Sequence, residues 1–161
     1  MTTGGLGRKG GILLFVGVLS EPVSNPHDPH GAGQQAATTR AVVQALRKAG
    51  HQVEVVNLNE LLKRRLQGPL PWDVVFNLFV GRQRRADQLL GVTLLEWAGI
   101  PYTGSPPPAH LVAIHKHLAK ALWKQAGLPT PAFQVWTPGG EADLTALPYP
   151  AIVKPAAEGS G

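Results

Sequence analysis

The chain has 161 residues, of which 43% are hydrophobic and 16% charged, and this balance excludes a disordered polypeptide. Fifteen Lys and Arg residues against ten Asp and Glu give a net charge of +5, which favours anionic partners such as nucleotides or nucleic acids. The absence of cysteine excludes disulfides and thiolate nucleophiles.

An apolar run over residues 12–19 is the first predicted element. It follows Arg8 and Lys9 as in a signal peptide, but no small-residue cleavage site comes after it, and it is too short to span a bilayer. The run therefore predicts a buried strand, preceded by a flexible tail. Nothing in this pattern indicates secretion or a membrane, so we expect a cytoplasmic protein.

The next stretch, residues 20–35, contains three prolines and no periodicity, which predicts a long loop. His27, Asp28 and His30 lie within it. Three such residues close together without a further ligand are typical of polar turns rather than of a metal site. We therefore predict no metal ligands in this chain.

Helical periodicity begins at Ala36 and ends at Gly50, and alternation over residues 52–58 predicts a second strand. Asn59 is expected to cap a short helix whose leucines face the core. The basic run of that helix, residues 63–65, is expected to face water.

Residues 72–80 predict a third strand, followed by a helix that ends at Gly99 and a short strand over residues 100–103. Strands that alternate with helices predict an α/β fold: a Rossmann-like parallel sheet with helices on both faces, over residues 11–108. Ligands of such sheets bind beyond the carboxyl ends of the strands. No G-x-G-x-x-G follows the first strand, so no dinucleotide is expected.

The proline-rich residues 105–108 mark a boundary before a predicted helix over residues 109–126. Its apolar residues Leu111, Ile114, Leu118 and Leu122 are expected to face inward. Lys116, Lys120 and Lys124 recur every four residues on one face of that helix. For Lys120 and Lys124 the pattern predicts solvated side chains.

Two further strands are predicted, over residues 132–136 and 151–153, with a short acidic helix around residues 141–144 between them. The last strand leads to Lys154 and then to the small residues Gly159, Ser160 and Gly161. Free backbone N–H groups beside a lysine are suited to a phosphate, although the Walker pattern is absent.

Several segments together resemble the D-alanine:D-alanine ligases of the ATP-grasp superfamily. They occur in the family's order from about Asp73 to the last residue. The segments are Val75–Leu78, Leu94–Ser105, His115–Lys116 with Lys120, Gly127–Phe133 and Ile152–Ser160. The resemblance implies that residues 11–108 form the domain preceding the ATP-grasp domain. Residues 109–161 would then be a linker helix and the incomplete start of an α+β ATP-grasp domain.

The resemblance also implies site residues. Lys116 and Lys154 would bind ATP phosphates, and His115 stands where the family usually has Asp. The loop covering the β- and γ-phosphates would consist of Glu158, Gly159, Ser160 and Gly161. Glu21 is comparable to part of the family's signature for the first D-alanine, and it is the candidate catalytic-site residue.

One departure from the family leaves the substrate open. After the third strand, where a Glu-Gly pair is expected, the chain has Val80 and Gly81 followed by the basic residues 82–85. Those arginines could bind a carboxylate or phosphate, but they also fit an exposed basic turn.

The implied reaction is the ATP-dependent joining of a carboxylate to an amine through an acyl phosphate, as in peptidoglycan biosynthesis. ATP and small amino acids would be the partners, and a homodimer is compatible with the resemblance. Magnesium is the implied cofactor besides ATP, with its ligands in a second half that is missing here. This chain alone is therefore expected to be inactive.

Two other interpretations stay open. One is a non-catalytic Rossmann-like module that binds a small anion, a nucleotide or a protein partner. The other is nucleic-acid binding through the basic residues 63–65 and 82–85, which is disfavoured because no aromatic residues alternate with them.

Overall fold

A computed structural model describes residues 12–21, 29–81, 85–137, 139–140 and 147–157, leaving aside the side chains of residues 29–32 and 85–87. Its elements are β1 (Phe15–Leu19), α1 (Pro29–Lys48), β2 (Gln52–Val56), α2 (Leu58–Gln67), β3 (Val74–Asn77), α3 (Arg85–Ala98), α4 (Pro107–Ile114) and α5 (Lys116–Gln125). The predicted tail and the predicted acidic helix around residues 141–144 lie outside the described residues. None of the described helices is both long and apolar enough to cross a membrane.

The three strands form one parallel sheet in the order β2-β1-β3, and Val16 of β1 is in register with Val53 and Val74. The crossovers through α1 and α2 lead in opposite directions across this sheet. Because such crossovers are right-handed, the two helices cover opposite faces. The predicted α/β class with a Rossmann-like parallel sheet is confirmed.

The central strand β1 is buried because it is covered from both faces. Val16, Val18 and Leu19 are each at most 3% exposed, and an uninterrupted apolar run is typical of such a strand. Gly17 supplies the space for a large neighbour, since a Cβ added there would lie 2.7 Å from Cδ2 of Trp72. Trp72 can therefore pack flat against the backbone of β1.

The predicted strand over residues 100–103 is reduced to a single parallel bridge between Val75 and Tyr102. The N–H of Val75 donates to the carbonyl of Pro101 at 2.8 Å, and the N–H of Thr103 donates to the carbonyl of Val75 at 3.0 Å. Pro101 has no N–H group of its own, which limits the ladder at this edge.

Two helices begin earlier than the sequence predicted. Helix α1 begins at Pro29, so the predicted loop over residues 20–35 is wrong in its second half. Proline suits the first turn of a helix because the N–H it lacks would have no partner there. Helix α2 is capped by Asn57 rather than Asn59, and Oδ1 of Asn57 accepts from the N–H of Glu60 at 2.9 Å.

The predicted single helix over residues 109–126 consists of two helices that meet at His115, where φ is −101° and ψ is 89°. Leu118 and Leu122 were expected to face inward, but they are 40% and 48% exposed. The buried position of α5 is Ala119.

The predicted strands over residues 132–136 and 151–153 are also wrong, because neither stretch forms a strand. Ile152 and Val153 are 81% and 78% exposed rather than buried. A strand forms only where another strand pairs with it, and no described segment does so here.

The chain divides into two compact units. Unit 1 comprises Met1–Leu78 and Ala98–Thr103 and contains the sheet, whereas unit 2 comprises Phe79–Trp97 and Gly104–Gly161. The domain boundary predicted near residue 108 stays a prediction.

Candidate nucleotide-binding site

In unit 2, the start of α5 is joined to the segment that carries Lys154. The N–H of Lys116 donates to the carbonyl of Ala156 at 2.9 Å. Ala157 and Ala119, near the two ends of this bond, are only 4% and 7% exposed. Small buried side chains at both positions are consistent with a close approach of the two segments.

This hydrogen bond places the two predicted phosphate-binding lysines in one region. Lys154 precedes Ala156 by two residues, so its Cα lies within roughly 15 Å of the Cα of Lys116, at about 3.8 Å per Cα step. Lys154 is exposed and Lys116 is half-buried. The binding of phosphate by these two lysines stays a prediction. The loop of residues 158–161 lies outside the described residues.

His115 shapes the bend between α4 and α5. Its ring Nδ1 lies 2.9 Å from the carbonyl of Leu111, and because a carbonyl only accepts, Nδ1 carries the proton. The ring also meets His117 edge-on, with centroids 5.9 Å apart. A carboxylate at this position could not donate this bond. The bond therefore holds the ring of His115 at the bend between α4 and α5.

Lys120 was predicted to be solvated, but it is half-buried and contacts the segment after the helix. Its Nζ donates to the carbonyl of Pro131 at 3.2 Å and lies 5.1 Å from the centre of the Phe133 ring. This lysine therefore fastens the segment after the helix to α5. Lys124, one turn further along, is exposed as predicted.

Glu21 lies in unit 1, just beyond the carboxyl end of β1, and is only 7% exposed. Its Oε1 accepts from the N–H of Leu58, the first residue of α2, at 2.7 Å. A carboxylate at a helix amino terminus compensates the unpaired N–H groups there. The structure thus gives Glu21 a capping contact, and its role in substrate binding stays a prediction.

Other polar side chains at this edge of the sheet also bond to neighbours. The hydroxyls of Ser20 and Thr39 lie 2.8 Å apart, and Nε2 of Gln35 donates to the carbonyl of Leu78 at 2.6 Å. The hydrogen bond of Gln35 was not predicted, because this residue was assigned to a loop.

The basic run of residues 63–65 was predicted to face water, and this is wrong for Arg64. Its guanidinium forms two hydrogen bonds to Glu54, at 2.7 and 3.0 Å, and one to Glu60 at 2.9 Å. It lies 5.5 Å from the centre of the Trp72 ring, whose Nε1 donates to Glu54 at 3.1 Å. Hydrogen bonding from Arg64 lowers the pKa of Glu54. Arg64 is therefore engaged within unit 1 and does not fit a nucleic-acid patch.

The second basic run, residues 82–85, lies outside the described residues except for the backbone of Arg85. Of His27, Asp28 and His30, which were weighed as metal ligands, only the backbone of His30, in α1, is described. The role of these arginines stays a prediction.

Unit 1 also has an open cleft of about 350 Å³ that the sequence did not predict. Arg65, Trp72 and Ile100 are among its lining residues. Trp72 precedes β3 and Ile100 precedes the bridge at Tyr102, so the cleft lies at the amino ends of these strands. Ligands of parallel sheets bind at the opposite edge.

The sheet order and the crossovers define a protein of the Rossmann-like α/β class, and comparisons with known proteins make this more specific. No family model matches the chain. It is 38% identical to the D-alanine–D-alanine ligase of Moorella thermoacetica over 130 aligned residues, which cover 74% of this chain and 41% of that ligase. A ligase of Halorhodospira halophila is also 38% identical, over 74% of this chain and 38% of its own length.

Solved structures agree on the fold. The D-alanine–D-alanine ligase of Bacillus anthracis superposes with a TM-score of 0.64 at 20% identity, over 83% of this chain and 42% of that one. The same ligase in complex with ATP gives a TM-score of 0.58 at 20% identity, over 76% and 38%. The chain belongs to the D-alanine:D-alanine ligases and their relatives in the ATP-grasp superfamily. It spans about 40% of the length of the curated relatives it matches.

Proposed function

We propose that this chain is the nucleotide-phosphate-binding part of an ATP-dependent carboxylate–amine ligase of the D-alanine:D-alanine ligase type. The observation that carries the proposal is the hydrogen bond from Lys116 to Ala156, which draws the start of α5 and the Lys154 segment together. Two cations held near each other suit the oxygens of a triphosphate. The relatives named as ligases, one of them solved with ATP, support the same activity.

In the proposed reaction, a substrate carboxylate takes the γ-phosphoryl group of ATP and releases ADP. The amine of a second amino acid then attacks the acyl phosphate, forms the amide and displaces phosphate. Lys116 and Lys154 would neutralise charge on the phosphates during the transfer. D-Alanine is the proposed substrate, and peptidoglycan synthesis in the cytoplasm is the setting that would follow from it.

Magnesium does not fit the described residues. Within this part of the chain, no three His, Cys, Asp or Glu side chains come together in a way that could hold a metal ion. No step of the proposed reaction is therefore assigned to a metal ion. The proposal assigns no magnesium ligand to these residues.

Phosphate recognition is tested by thermal unfolding with adenosine, AMP, ADP and ATP at equal concentrations. If the lysines hold the outer phosphates, ATP should raise Tm by several degrees, ADP by less, and adenosine hardly at all, because only ligands that bind the folded state stabilise it. Lys154→Ala should remove the difference between ATP and AMP.

Lys124→Ala is the matched control, since it removes the same charge from an exposed position on α5. It should preserve the ranking of the four ligands. If Lys124→Ala and Lys154→Ala reduce the differences in Tm among the four ligands equally, the binding is unspecific attraction to a basic protein. That result would contradict the proposal. So would the absence of any stabilisation by ATP.

A further inference from the structure

The bend at His115 changes the partners of two backbone N–H groups. In an unbroken helix each N–H donates to the carbonyl four residues earlier, so that of Lys116 would donate to Val112. Here Val112 accepts from the N–H of His115 instead, at 3.2 Å. The N–H of Lys116 donates to Ala156 at 2.9 Å, in a distant segment of unit 2. The bend therefore turns the first N–H of α5 away from α4 and toward that segment.

The same bend takes from the carbonyl of Leu111 its helical donor, which would be the N–H of His115. The side chain of His115 supplies a replacement, because its Nδ1 carries a proton and lies 2.9 Å from that carbonyl. An intramolecular hydrogen bond favours the conformation that makes it even after exchange with water is counted. The imidazole thus stabilises the bent conformation against the unbroken helix.

We infer that His115 is a positioning residue for the two lysines of the proposed site. Its imidazole holds the bend, and the bend directs the N–H of Lys116 to Ala156. Lys154, two residues before Ala156, is thereby kept in the region of Lys116. The inference rests on the proposed function, since this positioning serves ligand binding only if the two lysines hold phosphate.

The bend is tested by His115→Ala, which removes the donor to Leu111 and introduces a residue that favours a continuous helix. The scalar coupling across the hydrogen bond from the N–H of Lys116 to the carbonyl of Ala156, measured by NMR on the chain without ligand, reports the tether. We expect this coupling in the wild type. In His115→Ala a coupling from Lys116 to Val112 should replace it.

The consequence for the ligand is measured by calorimetric titration with ATP. His115→Ala should bind ATP about threefold more weakly or worse, because only the fraction of molecules in the bent conformation is competent to bind.

Rescue by asparagine distinguishes the donor from the bulk of the ring. His115→Asn keeps an N–H donor, Nδ2, at the same number of bonds from the backbone as Nδ1 of histidine. It should retain the coupling to Ala156, and its ATP affinity should stay within about twofold of wild type.

His110→Ala is the matched control, because it removes an imidazole from α4 whose Nε2 bonds to no described group. It should leave both the coupling and the ATP affinity unchanged. A loss of the coupling in this control would contradict a specific role of His115.

The bond to Leu111 is also tested in the unaltered chain, so that the result does not depend on the folding of a variant. The nitrogen spectrum of the His115 ring at about pH 8.5, where histidine side chains are mostly neutral, should show the proton on Nδ1. A proton on Nε2 alone would overturn the inference.

Retention of the coupling between Lys116 and Ala156 in His115→Ala would overturn the inference as well. So would ATP binding at wild-type strength after that coupling is lost. If the wild type shows the coupling and the Nδ1 proton but binds no ATP, the proposed function is refuted, while the bend itself is confirmed.

Discussion

The two units of this chain differ in how completely they bury their own apolar side chains. Among the described residues, ten of the fifteen buried apolar side chains belong to unit 1, whereas thirteen of the eighteen large exposed ones belong to unit 2. Unit 1 also has every described strand of the sheet. In the part of unit 2 that the structure describes there are helices, but the two stretches with strand-like sequence form no strand.

This difference indicates which unit of the chain buries its own apolar side chains. In unit 1, side chains from three strands and two helices are buried within one compact body. In unit 2, two of the five buried apolar residues are alanines, which contribute little buried area. Stability should therefore be concentrated in unit 1, and ligand or partner binding should act mainly on unit 2.

The contrast is tested most strongly by truncating one leucine in unit 1 and one isoleucine in unit 2. Leu61→Ala removes a side chain that is 0% exposed and should lower the free energy of unfolding by about 2–5 kcal/mol. Ile152→Ala alters a side chain that is 81% exposed and should change it by less than about 0.5 kcal/mol. Urea unfolding followed by circular dichroism measures both, and equal losses would break the comparison.

Close packing on β1 is tested by Gly17→Ala. The added Cβ would lie 2.7 Å from the Trp72 ring, so we expect a loss of about 1–3 kcal/mol. Gly33→Ala in α1 is the control, because an added Cβ meets nothing within 4 Å and alanine favours a helix by up to about 1 kcal/mol. Thermal unfolding should therefore separate the two variants in opposite directions, and a neutral Gly17→Ala would contradict the observed contact.

The ion cluster of unit 1 is tested by Arg64→Met, which keeps the apolar stem but loses the hydrogen bonds to Glu54 and Glu60. Because these side chains are about one third exposed, water compensates part of the loss, and about 1 kcal/mol is expected. Lys63→Met removes the same charge from an exposed neighbour and should stay within about 0.5 kcal/mol of wild type. If both variants lose the same stability, net charge rather than the cluster is responsible.

The smallest expected effect is a pH dependence. Hydrogen bonding from Arg64 lowers the pKa of Glu54 below its ordinary value of 4.5. The ionised Glu54 side chain therefore stabilises the fold at pH values above 4.5, and this stabilisation is lost as the pH falls through the pKa of Glu54 in the folded state. Wild type should lose up to about 1 kcal/mol more than Glu54→Gln between pH 7 and pH 3. Urea unfolding of both proteins at the two pH values measures it, and identical losses would refute the role of Glu54.

The sequence predicted the elements whose signals are local. The apolar run of β1 and the alternation of β2 are visible in a few residues, and so is the parallel class that follows from alternating strands and helices. The resemblance to the ligases predicted that Lys116 and Lys154 both bind phosphate. The bond from Lys116 to Ala156 brings their segments together, and their role in binding stays a prediction.

The errors concern features that depend on distant residues. Arg64 was expected in water because Glu54, ten residues earlier on β2, enters its surroundings only once α2 packs beside the sheet. The bend at His115 could not be read from a helical pattern that continues through it. The stretch at residues 151–153 has a strand's composition but no strand partner among the described residues, and composition alone cannot supply one.

The most direct test of the central claim is a calorimetric titration of this chain with ATP, with and without magnesium. We predict one saturable site, weakened at least tenfold by Lys154→Ala and by Lys116→Ala, and left within twofold by Lys124→Ala. An ATP affinity that is the same in all four proteins, or no binding to any of them, would contradict the claim that these lysines hold the triphosphate.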